Sequence, residues 1–405
     1  MNEGDKRIRR FYIFRAVTSF SLWIPFWSLW AYKNLDSLFL LTVVDAVFWS
    51  TIILFQLPAG LLGDKFGRKA VLFTGEILFS VGVLAFGLSS SFDQYLISNV
   101  IWALGVCFLI SGDTPFLYDT LLELDRGADF IRIMGTANAV MFMTSAAACV
   151  VGGFIVSVTD RIELTLIIAS LVAITGTFTV VFLREPKVDR RFQQSYRAQL
   201  GTGVKQVLKS KPIMVLILFQ IVLELGIYVM MIFRSVYMNV QLRLSFLEIG
   251  LFFASFAIVG GLFTRLAGTI EGWLKEKRAL LFMFVTMIFS FAVVFLVRSS
   301  VAVSTQYLMY IITGLQAPII NGYINRLVDS SHRSTIMGIA SMMFTIMVVI
   351  VEVSIGWIAS IWGLEESLLI LALAVTPVGI LLLYFWNKEV DKFMRKPVKL
   401  SAPQE

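Results

Sequence analysis

The sequence predicts an all-α membrane protein with about twelve transmembrane helices. Composition, the length of the apolar runs and the placement of basic residues predict it together. Of 405 residues, 58% are hydrophobic and only 15% charged, and the mean hydropathy is +0.83. Soluble domains carry about 25% charged residues, so the surplus apolar surface has to face lipid. The apolar runs are long and continuous, near the ~20 residues a helix needs to cross a bilayer. A membrane barrel shows alternating segments of ~10 residues instead. Helices satisfy their own backbone hydrogen bonds in lipid, so the spans are helices.

The spans read as 11–31, 38–62, 70–90, 94–117, 131–158, 163–183, 212–238, 247–267, 279–297, 301–323, 335–361 and 366–386. The chain has 34 Lys and Arg. About 28 of them fall at the two ends and in the loops near 65, 126, 198, 272 and 330, against about four in the opposite loops (Lys33, Arg161, Arg243, Arg298). The positive-inside rule then places both termini in the cytoplasm of a multi-pass cell (inner) membrane protein, which requires an even number of spans. The net charge of +7 is thus a topology signal, and no nucleic-acid partner is expected. The basic stretch Met1–Arg10 precedes an apolar run without a small-residue cleavage site, which reads as a retained first span. The Arg9-Arg10 pair reads as a juxtamembrane anchor.

The longest connection, 184–211, is basic: Arg184, Lys187, Arg190, Arg191, Arg197, Lys205, Lys209 and Lys211. It divides a six-span half, 1–183, from a second, 212–390, followed by a tail, 391–405. Such a linker suits two bundles that rock against each other. Within it, Phe192–Leu208 reads as an amphipathic stretch lying on anionic lipid.

Several function classes drop out. Cys107 and Cys149 sit in apolar runs and read as structural thiols, and the one histidine, His332, lies in a short loop. Neither offers metal-ligand spacing. The serine-hydrolase, zinc-protease and ATP-binding phosphate-loop signatures are absent. No enzyme activity, metal or cofactor is expected, and energy has to come from an ion gradient.

Between spans two and three stands Gly60-Leu61-Leu62-Gly63-Asp64-Lys65-Phe66-Gly67-Arg68-Lys69. Gly60 and Gly63 suit close helix approach, Gly67 a tight turn, and Asp64 with Arg68 a charged pair that opens and closes. The string resembles the signature loop of the major facilitator superfamily, G-x-L-a-D-r-x-G-r-k, in its usual place on the cytoplasmic side. The resemblance implies two six-helix bundles related by pseudo-two-fold symmetry. It also implies a charge network, joined by Asp64 and Arg68, that stabilises the outward-facing state, while Lys65, Arg68 and Lys69 by themselves read as a positive-inside anchor. The second-half counterpart, Gly261–Gly268, lacks the acidic residue. Ser111–Leu121 is similar to the fourth-span ending of a prokaryotic, drug-antiporter-like subgroup. Two features depart from that subgroup. Span four has Asn99, Ile101 and Trp102 where many proton-coupled members carry arginine. Span five has Ala148–Gly153, keeping only Gly152 and Gly153 of the antiporter signature.

A charge at mid-bilayer costs about 2.5–3.5 kcal/mol even on the mild insertion scale. Seven charged residues lie inside spans and away from the span ends: Arg15, Asp45, Glu76, Asp113, Glu224, Arg234 and Glu352. In the family's arrangement spans three, six, nine and twelve stand outside the central cavity, so all of these but Glu76 fall on cavity or gate helices. Glu76 lies close enough to the cytoplasmic end to meet Arg68 or Lys69. Glu224 and Asp113, then Glu352 and Asp45, are the candidates for proton coupling or gating, with Arg15 and Arg234 as ion-pair partners. Helical spacing puts Asp45, Gln56 and Gly63 within about 20° of one face. Met337, Ser341, Thr345 and Glu352 form a stripe on span eleven, and Gln306, Tyr310 and Thr313 one on span ten. Asn138 and Ser145 share a face of span five, and Glu224 and Tyr228 are one turn apart on span seven. These stripes are either cavity lining or the polar contacts that hold helices together. Trp23, Phe26, Trp27 and Trp30 form either an interfacial belt or an aromatic wall for a cationic substrate, with Pro25 as a bend in span one.

Five membrane acids against two arginines suit proton binding or a cationic substrate. The expected function is gradient-driven efflux of small amphipathic or cationic compounds, coupled to protons (or Na+), by a monomer embedded in lipid. A nutrient or metabolite importer of the same fold is the alternative, and a membrane-embedded enzyme a distant one.

Overall fold

The computed structural model describes residues 3–187, 207, 210–297, 299–328 and 333–393. Most of the basic linker, including Phe192–Leu208 apart from Val207, lies outside the described residues, as do His332 and residues 394–405.

Spans two to seven and ten to twelve are each a single helix. Span two is Leu38–Phe66, three Arg68–Leu88, four Phe92–Glu123, five Phe130–Thr159 and six Glu163–Val181. Span seven is Lys211–Val236, ten Ser304–Leu327, eleven Arg333–Trp362 and twelve Leu364–Phe393. Spans eight and nine run as one element, Phe246–Leu296, broken at Lys275, where φ is 58° and ψ 172°. Among the described residues, nine helices are long and apolar enough to cross a membrane. That set counts the eight–nine element once and omits spans one and ten. Large apolar side chains face outward along the helices, as lipid requires; Leu54, Phe178 and Leu296 are examples.

Span one departs from a simple helix. It splits into Glu3–Thr18 and Trp27–Leu35, with turns between them. Pro25 lies in the break, where its missing N–H and fixed φ interrupt the helical ladder. The chain resumes through Trp27 N–H donating to the Trp23 carbonyl at 2.9 Å.

Span two begins at Ser37, whose hydroxyl accepts the Leu40 N–H at 3.2 Å. It ends at Gly67, with φ of 101°, a conformation that favours glycine. Span seven ends in a π turn, Tyr237–Gln241.

The chain packs as two compact units. The first holds the first six spans together with Met231–Ile258 and Val348–Leu364. Within it, spans three and four cross closely, for a Cβ on Gly105 would fall 2.7 Å from the Phe79 Cα. The second holds span seven up to Met230, Val259–Met347 and span twelve from Glu365. Within it, spans eight and ten meet where a Cβ on Gly314 would fall 2.9 Å from the Thr264 nitrogen.

Candidate functional site

Three predicted residues meet in the first unit. Arg15 on span one bonds Asp113 on span four through one guanidinium nitrogen, and Asn138 on span five through the other at 2.7 Å. The Arg15 and Asp113 side chains are each 15% exposed. Asp113 Oδ1 is buried with no hydrogen-bond partner among the described residues, so Arg15 holds one carboxyl oxygen and not the other. The arrangement ties three helices through one cation.

Glu76 is elsewhere than expected. Arg68 and Lys69 have other partners, and Glu76 is buried at 1% exposure. Its oxygens have no hydrogen-bond partner among the described residues, and a Cβ on Gly176 would fall 3.2 Å from Oε2. Glu76 stands ~12 Å further along the helix axis than Arg68 and about 80° around it, on a different face.

The loop between spans two and three forms a compact charged lock. Arg68 donates to Asp64 at 2.5 Å and lies 3.7 Å from Asp119 on span four. Gly63 makes room for this: a Cβ there would fall 2.9 Å from an Arg68 guanidinium nitrogen. Gly60 does not act as predicted, since a Cβ there would meet nothing within 4 Å. Glu185, just past span six, accepts the backbone N–H of Arg68 at 2.8 Å and of Lys69 at 2.7 Å. A carboxylate there satisfies two orphan donors and faces the positive end of span three. The Lys69 ammonium donates to the Val181 carbonyl at 2.7 Å. Gly67 is required twice over, by its φ and because a Cβ would fall 2.8 Å from Glu185 Oε1.

The remaining candidates divide. On span two, Asp45 and Gly63 are buried but Gln56 is exposed, so the predicted stripe is not one environment. Asn138 and Ser145 are both half-buried. Glu224 accepts the Gln220 amide at 2.8 Å, one turn earlier on the same helix, and Tyr228 is buried. Arg234 is 2% exposed and lies over the rings of Phe253 and Phe256, at 5.4 and 5.7 Å. Gln306 is fully buried, and Tyr310 packs on Gly260. Thr345 is buried and returns its hydroxyl to the exposed Ser341 carbonyl at 2.9 Å.

The span-one aromatics Trp23, Phe26 and Trp27 pack against other rings, with Phe26 buried and Trp23, Trp27 and Trp30 half-buried. Trp23 meets Trp102 edge-on at 4.6 Å, and Trp27 meets Phe86 at 6.5 Å. Phe26 is fully buried. Asn99, the neighbour of the missing arginine position, donates to the Val44 carbonyl at 2.6 Å.

The two surviving glycines of span five have a clear role. A Cβ on Gly152 would fall 2.8 Å from the Leu22 carbonyl oxygen, and one on Gly153 2.7 Å from that of Phe246. Gly250 approaches the Cys149 carbonyl from the other side. Spans five and eight thus touch backbone to backbone at this level.

The sequence pattern of the Major Facilitator Superfamily matches residues 11–317. The chain belongs to this superfamily and is a multi-pass membrane protein. It is 31% identical over 117 residues to an uncharacterized transporter of Buchnera aphidicola subsp. Schizaphis graminum, 29% of each chain. It is 26% identical over 149 residues to Multidrug resistance protein 1 of Bacillus subtilis, 37% of this chain and 36% of that one. It is 23% identical over 205 residues to the quinolone resistance protein NorA of Staphylococcus aureus, half of each chain. These matches span between 29% and 50% of the relatives' lengths. Among solved structures, the nucleoside transporter NupG superposes with TM-score 0.78 at 13% identity, covering 95% of this chain and 99% of that one. A bacterial homolog of the human lysosomal transporter Spinster superposes at 0.74 and 12%, covering 97% and 98%. These superpositions establish the two-bundle fold.

Proposed function

We propose that this transporter exports small amphipathic or cationic compounds across the cell membrane in exchange for protons, with both termini in the cytoplasm. The observation that carries the reading is Asp113 in span four, with one oxygen on Arg15 and the other buried without a partner among the described residues. A proton on Asp113 removes the charge that Arg15 pairs with and loosens the tie between spans one and four. Asn138 then remains as the Arg15 partner. Glu224 is the matching acid of the second half, and either carboxylate also suits a cationic substrate. A substrate and a proton that compete for the same carboxylates exchange with one another. The lock around Arg68 opens and closes on the cytoplasmic side as the bundles rock. Two relatives named for multidrug and quinolone resistance support the export direction.

The test is accumulation of a fluorescent cationic dye in cells expressing the chain. Export lowers accumulation, and a proton uncoupler or Asp113→Asn restores it. Unchanged accumulation, together with selective uptake of one nutrient, would establish an importer instead.

A further inference from the structure

Span eleven enters the first unit through Val348–Leu364. Gly356 there sits against the Thr42 side chain of span two so closely that a Cβ would overlap the hydroxyl. The two helices run in opposite directions, so one turn further into the membrane Asp45 follows Thr42 and Glu352 follows Gly356. At that level the two carboxyls face each other. Both are buried, Asp45 at 6% and Glu352 at 1% exposure. Among the described residues, neither Glu352 oxygen receives a hydrogen bond from an N–H or hydroxyl group.

Two ionised carboxylates offer only acceptors to one another and repel in a medium of low dielectric. Their contact becomes a hydrogen bond when one of them carries a proton. The titratable group that faces Glu352 among the described residues is Asp45. Span four, packed on span two, presents the neutral Asn99 amide to the Val44 carbonyl beside it.

We propose that Asp45 and Glu352 share a single proton, and that this carboxyl–carboxylate bond latches span eleven to span two on the outer side of the membrane. The proton comes from outside water when the helices are apart. It forms an O–H bond on one carboxyl and a hydrogen bond to the other as the helices close. Its return to water leaves two negative charges, which drive the helices apart again. Acid outside therefore favours the closed outer end. The latch deepens the proton-exchange reading above and rests on it for direction, but it is measurable without substrate or gradient.

The test uses the full chain in lipid nanodiscs, with spin labels at the exposed Asn34 and Ser360, and a distance distribution recorded from about pH 5 to about pH 9. One shared proton predicts that the ratio of short to long distances falls by up to about tenfold per pH unit above the midpoint. Asp45→Asn and Glu352→Gln each supply an amide that donates without a proton, so in either variant the short distance persists at every pH. If one variant fails to fold, the other gives the reading, and the wild-type titration stands alone. A wild-type distribution independent of pH, or a pH dependence retained in the amide variants, overturns the latch. A working latch in a protein that shows no proton-driven transport would leave the latch standing and remove the exchange reading.

Discussion

Glu185 accepts the Lys69 backbone N–H at 2.7 Å, across 116 residues of chain. With its other oxygen on the Arg68 N–H, it closes the N-terminus of span three and fastens the end of span six to it. Replacing Glu185 by Ala removes both bonds. The expected cost is about 1 kcal/mol, as for loss of a helix cap, read as a lower midpoint in thermal unfolding of the purified protein. Gly67→Ala should cost more than Glu185→Ala, because it strains the backbone and displaces the same carboxylate.

Gly63 and Gly60 are a matched pair three residues apart in the signature loop. Gly63→Ala pushes on the Arg68 guanidinium, whereas Gly60→Ala enters open space. The expected result is a loss of transport and of stability, about 1 kcal/mol or more, for the first. The second should stay within about 0.5 kcal/mol of the parent. Equal effects would contradict the packing described.

Arg15 and Asp113 should show strong coupling in a double-mutant cycle. Arg15→Ala alone leaves a buried carboxylate without its cation, costing about 3–5 kcal/mol, and folded yield falls. Adding Asp113→Asn should recover much of that yield without restoring gradient-driven transport. Asp113→Asn alone keeps a hydrogen-bond partner for Arg15, so it should fold and fail to couple.

Glu123 lies outside the membrane, where the Arg7 guanidinium donates to it at 2.9 Å. That hydrogen bond holds its carboxyl below the usual range, with the Lys187 N–H and the Arg7 and Arg184 charges adding to it. A lowered acid value means the contribution to stability is complete above the unfolded value, about 4.3 for Glu. It is lost as pH falls through the folded value. Glu123→Gln should therefore lower the unfolding midpoint at neutral pH, and the gap to wild type should shrink toward acid. A gap that grows on acidification would reverse the assignment.

Much of this fold is legible in the sequence because lipid is a simple solvent. Apolar runs of the right length mark the helices, and the starts of spans two to six fall within two residues of Leu38, Arg68, Phe92, Phe130 and Glu163, while span four runs on past its expected end to Glu123. What length and hydropathy do not encode is interruption. Span one breaks around Pro25, and spans eight and nine turn at a single residue, Lys275. The site is legible as residue types and only partly as partners. Arg15, Asp113 and Asn138 stand out as polar groups in apolar spans, and the fold brings them together. Glu76 stands out equally, yet is buried away from the basic loop, because nearness in sequence does not fix the face of a helix. Glu185 sits in a polar stretch after span six, where nothing local distinguishes a cap for a distant helix. Asp45 and Glu352 are likewise far apart in sequence, and the Gly356–Thr42 contact sets their register.

The most direct measurement is transport by the purified chain in liposomes under an imposed pH gradient, with a panel of cationic and amphipathic compounds. The account predicts substrate movement against its own gradient when protons flow the opposite way. It also predicts loss of that movement in Asp113→Asn and Glu224→Gln at wild-type levels of folded protein. Gradient-driven transport that survives in both variants would contradict it.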